Sequence, residues 1–564
     1  MRASVLLLLV GCSMMPPPLP VTLETIRDAE GRRDPKSDVL IRALDEPEFA
    51  ARAAIAMGRI QSLAYVDALI AHASTESTWA LGQMGLGLDW RPGDEARILP
   101  ELLKRGAIEA IGKIGGVVPP SVFKDPSPLV RVAAIDATWR AAYLHKTKVE
   151  IAAIVPLAGD PDEDVRWHAA YALMRSKIGH PVLRTLARDS NRWARLFAVR
   201  ALHDGTGLDD PEALVRVEAV RGAATVPDAL VRDPSVMVRR MVAMKRPDAM
   251  LDDVSPAVRA EAVAHLKDPS PHLKHLDWRM RAAAASALRD VEKLRPALED
   301  PERRVVLRAI ESLGEMNDDA SLAKLEQFAE CGDVALEWTA IEALGKRRQG
   351  LETLMRRAMG PVTLATEPLI DALKALDAKA SLDKLTRLPG IVYRSLARKA
   401  AGMGPDPEPR GYPRSRFMHR PLAGKFTVDV VHEKGTMRLL LDADAAPENV
   451  ANIVALVRRG YYDGLDWHRV EPNFVIQGGD PRFDGWGDPG YRELDEISTL
   501  PHLRGTIGIS KMAKDTGDSQ LYITHTPTPH LDGRYTVVGY VIEGLDVLDR
   551  IEIGDRILSA RVVE

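Results

Sequence analysis

One phrase recurs between residues 23 and 401 and constrains the chain more than any other feature. It reads Asp-Pro, two to four mixed residues, Val-Arg, then an alanine-rich run. Clear copies are Asp125-Pro126 with Val130-Arg131, Asp160-Pro161 with Val165-Arg166, Asp210-Pro211 with Val215-Arg216, and Asp233-Pro234 with Val238-Arg239. Degenerate copies stand at Ala194-Arg195, at Ser255-Pro256 with Val258-Arg259, and at Asp268-Pro269 with Met280-Arg281. A unit this short cannot bury a core alone, so neighbouring copies must stack on one another.

The residue types predict how. Asp is expected to cap a helix start, and Pro to occupy the first helical position, where its missing N–H costs nothing. Val165, Ala169, Ala172 and Leu173 follow at i, i+4, i+7 and i+8, the stripe of one helix face. The phrase resembles HEAT repeats, especially the short bacterial kind, and lacks the Trp-Leu-Gly-Tyr pattern of tetratricopeptide repeats. The resemblance implies an α-solenoid over residues 23–401. Each arginine after Val is expected to tie neighbouring repeats, and the concave face is the candidate groove for a protein partner. His145, His168, His180 and His203 are scattered without metal-ligand spacing, and Cys331 reads as a small buried side chain.

Composition narrows the function. Lys plus Arg number 76 against 80 Asp plus Glu, so no positive excess points to a nucleic-acid partner. Two cysteines, Cys12 and Cys331, exclude a disulfide scaffold or a multi-cysteine zinc site. Residues 402–422 are rich in proline and arginine and read as an interdomain linker.

Beyond it the period changes. Phe426 to Val431 and Met437 to Leu441 read as paired strands around Glu433-Lys434-Gly435, and Pro447 opens a helix ending near Gly460. Further strands are expected at Phe474–Gln477, Leu521–Thr524 and Tyr535–Tyr540, giving a small closed β-barrel with one or two helices over 423–564.

Three ordered motifs lie in this part: Trp467-His468-Arg469-Val470-Glu471-Pro472-Asn473-Phe474-Val475-Ile476-Gln477-Gly478-Gly479-Asp480, then Gly517 to Thr524, then His530 to Gly539. Together they resemble the cyclophilin peptidyl-prolyl isomerases, end to end from Ala423 to Glu564. Turning an X–Pro amide faces a resonance barrier of roughly 18–20 kcal/mol and breaks no bond, so no metal or cofactor is called for. A donor aimed at the prolyl nitrogen, in a site that fits the twisted amide, suffices. The resemblance assigns the donor to Arg469, with Gln477 and Gln520 holding it and the substrate backbone. It forms the proline pocket from Phe474, Val475, Tyr522 and Leu531. Ser510 and Lys511 would meet the residue before proline, with His468, His530 and Tyr535 around the rim. His530 stands where many members have Trp, Tyr522 where Phe is usual, Val475 for Met and Tyr535 for His. The Tyr522 hydroxyl therefore needs a partner at the pocket wall, and Lys511 is expected to favour acidic flanking residues.

At the other end, Leu9-Val10-Gly11-Cys12 resembles the lipobox of bacterial lipoproteins. It implies removal of residues 1–11, lipidation of Cys12, and a proline-rich tether over 12–22. Ser13 after the cysteine points to the cell envelope, at the outer membrane facing the periplasm. The expected function is a tethered prolyl isomerase acting on proline-containing polypeptides and assisting the folding of envelope proteins, with the array recruiting clients. The alternative is a proline-peptide docking module of little turnover on an interaction scaffold.

Overall fold

The arginine of the repeated phrase crosses to the next repeat in every copy named above but that of Arg259. Arg131 grips both oxygens of Asp160 through Nε and Nη2 at 2.8 and 2.7 Å, while its Nη1 donates back to the carbonyls of Asp125 and Pro126 at 2.7 and 3.0 Å. The same fork joins Arg166 to Asp189, Arg195 to Asp210, Arg216 to Asp233, Arg239 to Asp253 and Arg281 to Asp300. The ladder follows from the rigid guanidinium fork, which matches a carboxylate two bonds at a time. Arg259 keeps the carbonyl half, to Asp253 and Val254 at 2.6 and 3.2 Å, but among the described residues no aspartate meets it across the seam.

This ladder corrects the expected helix starts. The helix after Asp160-Pro161 is Glu163–Ser176, with Asp162 as its cap, and that after Asp233-Pro234 is Val236–Lys245. The Asp160 carboxylate is already held by Arg131 and by the amide of Asp162 at 3.0 Å, so the capping role passes two residues on. Ser255-Pro256 does behave as expected, with Ser255 capping Pro256–Ala264. Val165, Ala169, Ala172 and Leu173 are all fully buried.

The computed structural model describes residues 18–316, 318–388, 391–404, 406–407 and 410–563. The expected signal and Cys12 lie outside them. No helix among the described residues is long and apolar enough to cross a membrane. Cys331 is exposed, not buried as expected, because it sits in the turn between the helices Leu322–Ala329 and Val334–Arg347.

The carboxy-terminal domain is one antiparallel sheet: β1 Lys425–His432, β2 Gly435–Asp442, β3 Arg469–Glu471, β4 Val475–Gly478, β5 Thr506–Ile509, β6 Leu521–Thr524, β7 Val537–Glu543 and β8 Ile557–Val563. The order is β3-β4-β6-β5-β7-β2-β1-β8. Its inner face buries Val428, Leu439, Ile476, Ile507, Ile523 and Val538 against the helix Pro447–Arg458. The expected closed barrel is a curled sheet instead. No ladder joins β3 to β8; an isolated bridge, Asp466 to Arg556, and the bond Trp467 N to Asp555 O at 2.9 Å link its edges.

The array wraps this domain. Arg33 donates to Asp515 at 2.6 Å, Arg59 to the Ile497 carbonyl at 3.0 Å, and Arg140 to Asp532 at 3.0 Å. Farther along, Asn473 donates to Glu218 at 2.7 Å, Arg240 to the Val470 carbonyl at 2.8 Å, and Arg482 to Asp333 at 3.0 Å. The face expected to form an open groove thus meets the chain's own sheet domain. The linker is no free spacer either: Tyr412 N and Arg416 N bond to the carbonyls of Arg32 and Gly31 at 2.6 and 3.0 Å.

Candidate active site

A single cross-strand row builds the site. Arg469 on β3 faces Gln477 on β4, Gln477 faces Tyr522 on β6, and Tyr522 faces Gly508 on β5. Directly opposed residues share one side of a sheet, here the side away from Ile476 and Ile523 in the core. The glycine has a reason: a Cβ at position 508 would lie 2.2 Å from the Tyr522 hydroxyl oxygen, so the ring lies across bare backbone. Val475, two residues before Gln477, shares the face. With Tyr522 and Leu531, and the partly buried Phe474 and Tyr535, it forms a small apolar cluster separate from the main core.

Polar groups rim that cluster. Gln477 Nε2 donates to Ser510 Oγ at 2.8 Å and to Gln520 Oε1 at 3.0 Å, which turns its own Oε1 toward Arg469 Nη1 at 3.4 Å. Gln520 in turn donates to the carbonyls of Gly485 and Gly487 at 3.0 and 2.9 Å. The Arg469 guanidinium lies 5.7 Å from the Phe474 ring centroid, and its side chain stays 44% exposed. One always-charged donor therefore overhangs an apolar pocket with solvent at its back.

The Tyr522 hydroxyl has its partner, His502 Nε2 at 2.7 Å, and His502 Nδ1 lies 2.8 Å from Asp532 Oδ1. Burial lifts the Tyr522 phenol well above its ordinary value, so it stays neutral. His502 and Asp532 are not among the residues expected from the sequence; the one sign of them there is Tyr in place of Phe at 522, whose hydroxyl needs a partner. His530 stacks on Phe474 at 5.8 Å and bonds through Nδ1 to Tyr171 of the array at 3.0 Å. Burial and nearby arginines push the imidazole down to about 3, leaving it neutral.

Three of the expected residues are engaged or placed elsewhere. Lys511 is bound to Asp495 at 2.5 Å and lies 5.0 Å from the Tyr535 centroid, so its charge is already paired within the domain. The Ser510 amide, expected near the substrate backbone, donates to Gln520 O at 2.9 Å. His468 stands outside the constellation. It lines a cleft of about 390 Å³ with Phe483, Trp486 and Trp338, and burial pushes it down to about 4. A larger cleft of about 790 Å³ opens beside Tyr535 and Arg534, walled on the other side by Tyr143 and His145.

Comparison with known proteins decides what this row belongs to. Residues 427–564 match the family model described as cyclophilin type peptidyl-prolyl cis-trans isomerase, and residues 120–203 match HEAT repeats. A peptidyl-prolyl cis-trans isomerase of Synechococcus elongatus is 47% identical over 133 residues, 23% of this chain and 92% of that protein. The chain belongs to the cyclophilin family. Isomerases of Helicobacter pylori (45% identical over 130 residues, 22% of this chain and 80% of that protein) and Bacillus subtilis (isomerase B, 45% over 121 residues, 21% and 85%) agree with it. The protein is thus a cyclophilin-type peptidyl-prolyl isomerase that also carries HEAT repeats, and the isomerase portion is the sheet domain embraced by the array.

Proposed function

We propose that this cyclophilin turns X–Pro bonds by holding the proline ring on Val475, Tyr522, Leu531 and Phe474 while Arg469 donates to the prolyl nitrogen. As that nitrogen pyramidalises it gains a lone pair, and a fixed cation beside it is worth most at that moment. Gln477 and Gln520 keep the guanidinium and the substrate backbone in register. The observation that carries the reading is the cross-strand row that sets Arg469 over the Phe474 edge of the apolar cluster. Exchange measurements on an X–Pro peptide test it: Arg469→Ala is expected to lose about 10²-fold or more in kcat/KM, the scale of one electrostatic donor. A folded Arg469→Ala protein with undiminished exchange contradicts it. Binding without catalysis by the unaltered protein favours a docking module.

The biological setting follows from the amino terminus. The lipobox-like Leu9-Val10-Gly11-Cys12 and the prolines after it support a lipid-anchored protein of the cell envelope, at the outer membrane facing the periplasm, that assists folding of envelope proteins. Uncatalysed prolyl isomerisation takes tens of seconds, slow enough to limit folding there. Metabolic labelling with a fatty acid is expected to mark the protein and to fail in Cys12→Ala; an unlabelled wild type rejects the anchor.

A further inference from the structure

The array reaches the pocket wall through a chain of three bonds. Arg140, on the helix Pro128–His145, donates from Nη2 to Asp532 Oδ2 at 3.0 Å. The other oxygen of Asp532 accepts from the backbone N of His502 at 2.7 Å and lies 2.8 Å from its Nδ1. A carboxylate there holds the proton on Nδ1, which leaves Nε2 as an acceptor for the Tyr522 hydroxyl 2.7 Å away. The phenolic proton then points away from the proline pocket, and the ring presents an apolar face. His502 is fully buried and Arg140 nearly so, with Glu109 and Asp136 within 3.6 and 3.7 Å of the guanidinium. One helix further, the Tyr171 hydroxyl bonds His530, whose ring stacks on Phe474 at the opposite rim.

We propose that the HEAT array is a working part of the isomerase site, with Arg140 and Tyr171 as positioning residues that fix the Tyr522 wall and the His530–Phe474 rim of the proline pocket. The inference rests on the reading of that pocket given above. Neither residue touches substrate; each acts through a residue that lines the pocket. Loss of Arg140 leaves Asp532 facing His502 alone and frees the imidazole to tilt, and small misplacements of a wall are costly, up to about 10²-fold per ångström. Because the wall holds the ring in ground and transition state alike, the loss falls on KM more than on kcat.

The test is concentration-dependent exchange of an X–Pro peptide by the full-length protein, with folding of each variant checked by circular dichroism. Arg140→Met is expected to lower kcat/KM about tenfold, mainly through KM, and Arg140→Lys to recover most of it. In a Tyr522→Phe background, where no hydroxyl remains to orient, Arg140→Met is expected to cost less than about twofold. Unchanged kinetics in folded Arg140→Met, or the same tenfold loss with and without the Tyr522 hydroxyl, overturns the proposal. Where Arg140→Met does not fold, Tyr171→Phe decides, because it keeps the ring and removes only the bond to His530. A KM rise of about threefold supports the proposal, and wild-type kinetics reject it. A wild-type protein with no exchange activity instead rejects the pocket reading itself, before any variant is compared.

Discussion

The seam between repeats and the seam between the two domains use the same chemistry, arginine against carboxylate, in opposite ways. Along the array one geometry is repeated: a forked Arg–Asp pair whose arginines stay 11 to 16% exposed. Between the domains the contacts are mixed, guanidinium to carboxylate and guanidinium to carbonyl, and just after the first helix the pair Arg33–Asp515 is sealed, with both side chains at 0% exposure. A pair that keeps some contact with water is easier to repeat, because each copy loses less hydration than a fully dry one. A dry pair is worth having only where further bonds satisfy it. Here Arg33 also donates to the Asp495 carbonyl at 2.6 Å, and Asp515 accepts from the Asp495 amide at 3.0 Å. The array is therefore held together by many similar terms, its grip on the isomerase domain by unlike ones that run from the dry Arg33–Asp515 pair to the more open Arg303–Asp484 pair.

Substitutions in the two seams sharpen that contrast. Arg33→Met strands a buried carboxylate and is expected to destabilise the protein by about 3–5 kcal/mol. Its pH signature follows from Asp515, whose carboxyl the Arg33 guanidinium holds well below the usual range. A depressed acid contributes stability above its unfolded value, about 3.9, and loses it as pH falls through the folded value. The deficit of Arg33→Met is thus expected to be full from pH 7 down to about 4 and to narrow as pH falls further toward the folded value. Denaturant melts at about pH 7 and about pH 3 check this, and a pH-independent deficit would contradict the assigned charge pair. Arg216→Ala, in the middle of the ladder, removes one charged fork onto Asp233 and is expected to cost about 2 kcal/mol without loosening the isomerase domain. If Arg216→Ala cost as much as Arg33→Met, the two seams would not differ in kind.

The same contrast explains what was legible in the sequence. The ladder could be read because Val-Arg and Asp-Pro recur, even at the degenerate Ala194-Arg195, whose arginine does bond Asp210. Its helix starts were misread because a carboxylate that looks like a cap was bound from the neighbouring repeat. In the isomerase domain, strand pairs with clear alternation, such as β1 and β2, appear at nearly the expected bounds. Strands β3, β5 and β8 are absent from the sequence expectation: β3 has three residues, β5 carries Gly508 with the Tyr522 ring lying across it, and β8 is the last strand, Ile557–Val563. Arg469, Gln477, Gln520 and Phe474 were named from motifs and lie together. His502 and Asp532 lie 20 to 30 residues from their partners outside any strand alternation, and the array residues behind them lie hundreds of residues away, so these one-off contacts leave no period to read. The composition of the proline-rich linker says where helices stop and nothing of the backbone bonds to Gly31 and Arg32.

The decisive measurement is the exchange rate of an X–Pro peptide in the presence of the full-length protein and of Arg469→Ala. A donor role for Arg469 predicts acceleration by the wild type that falls about 10²-fold or more in the variant while both melt at the same temperature. A folded wild type that binds the peptide and leaves its exchange rate untouched would contradict it.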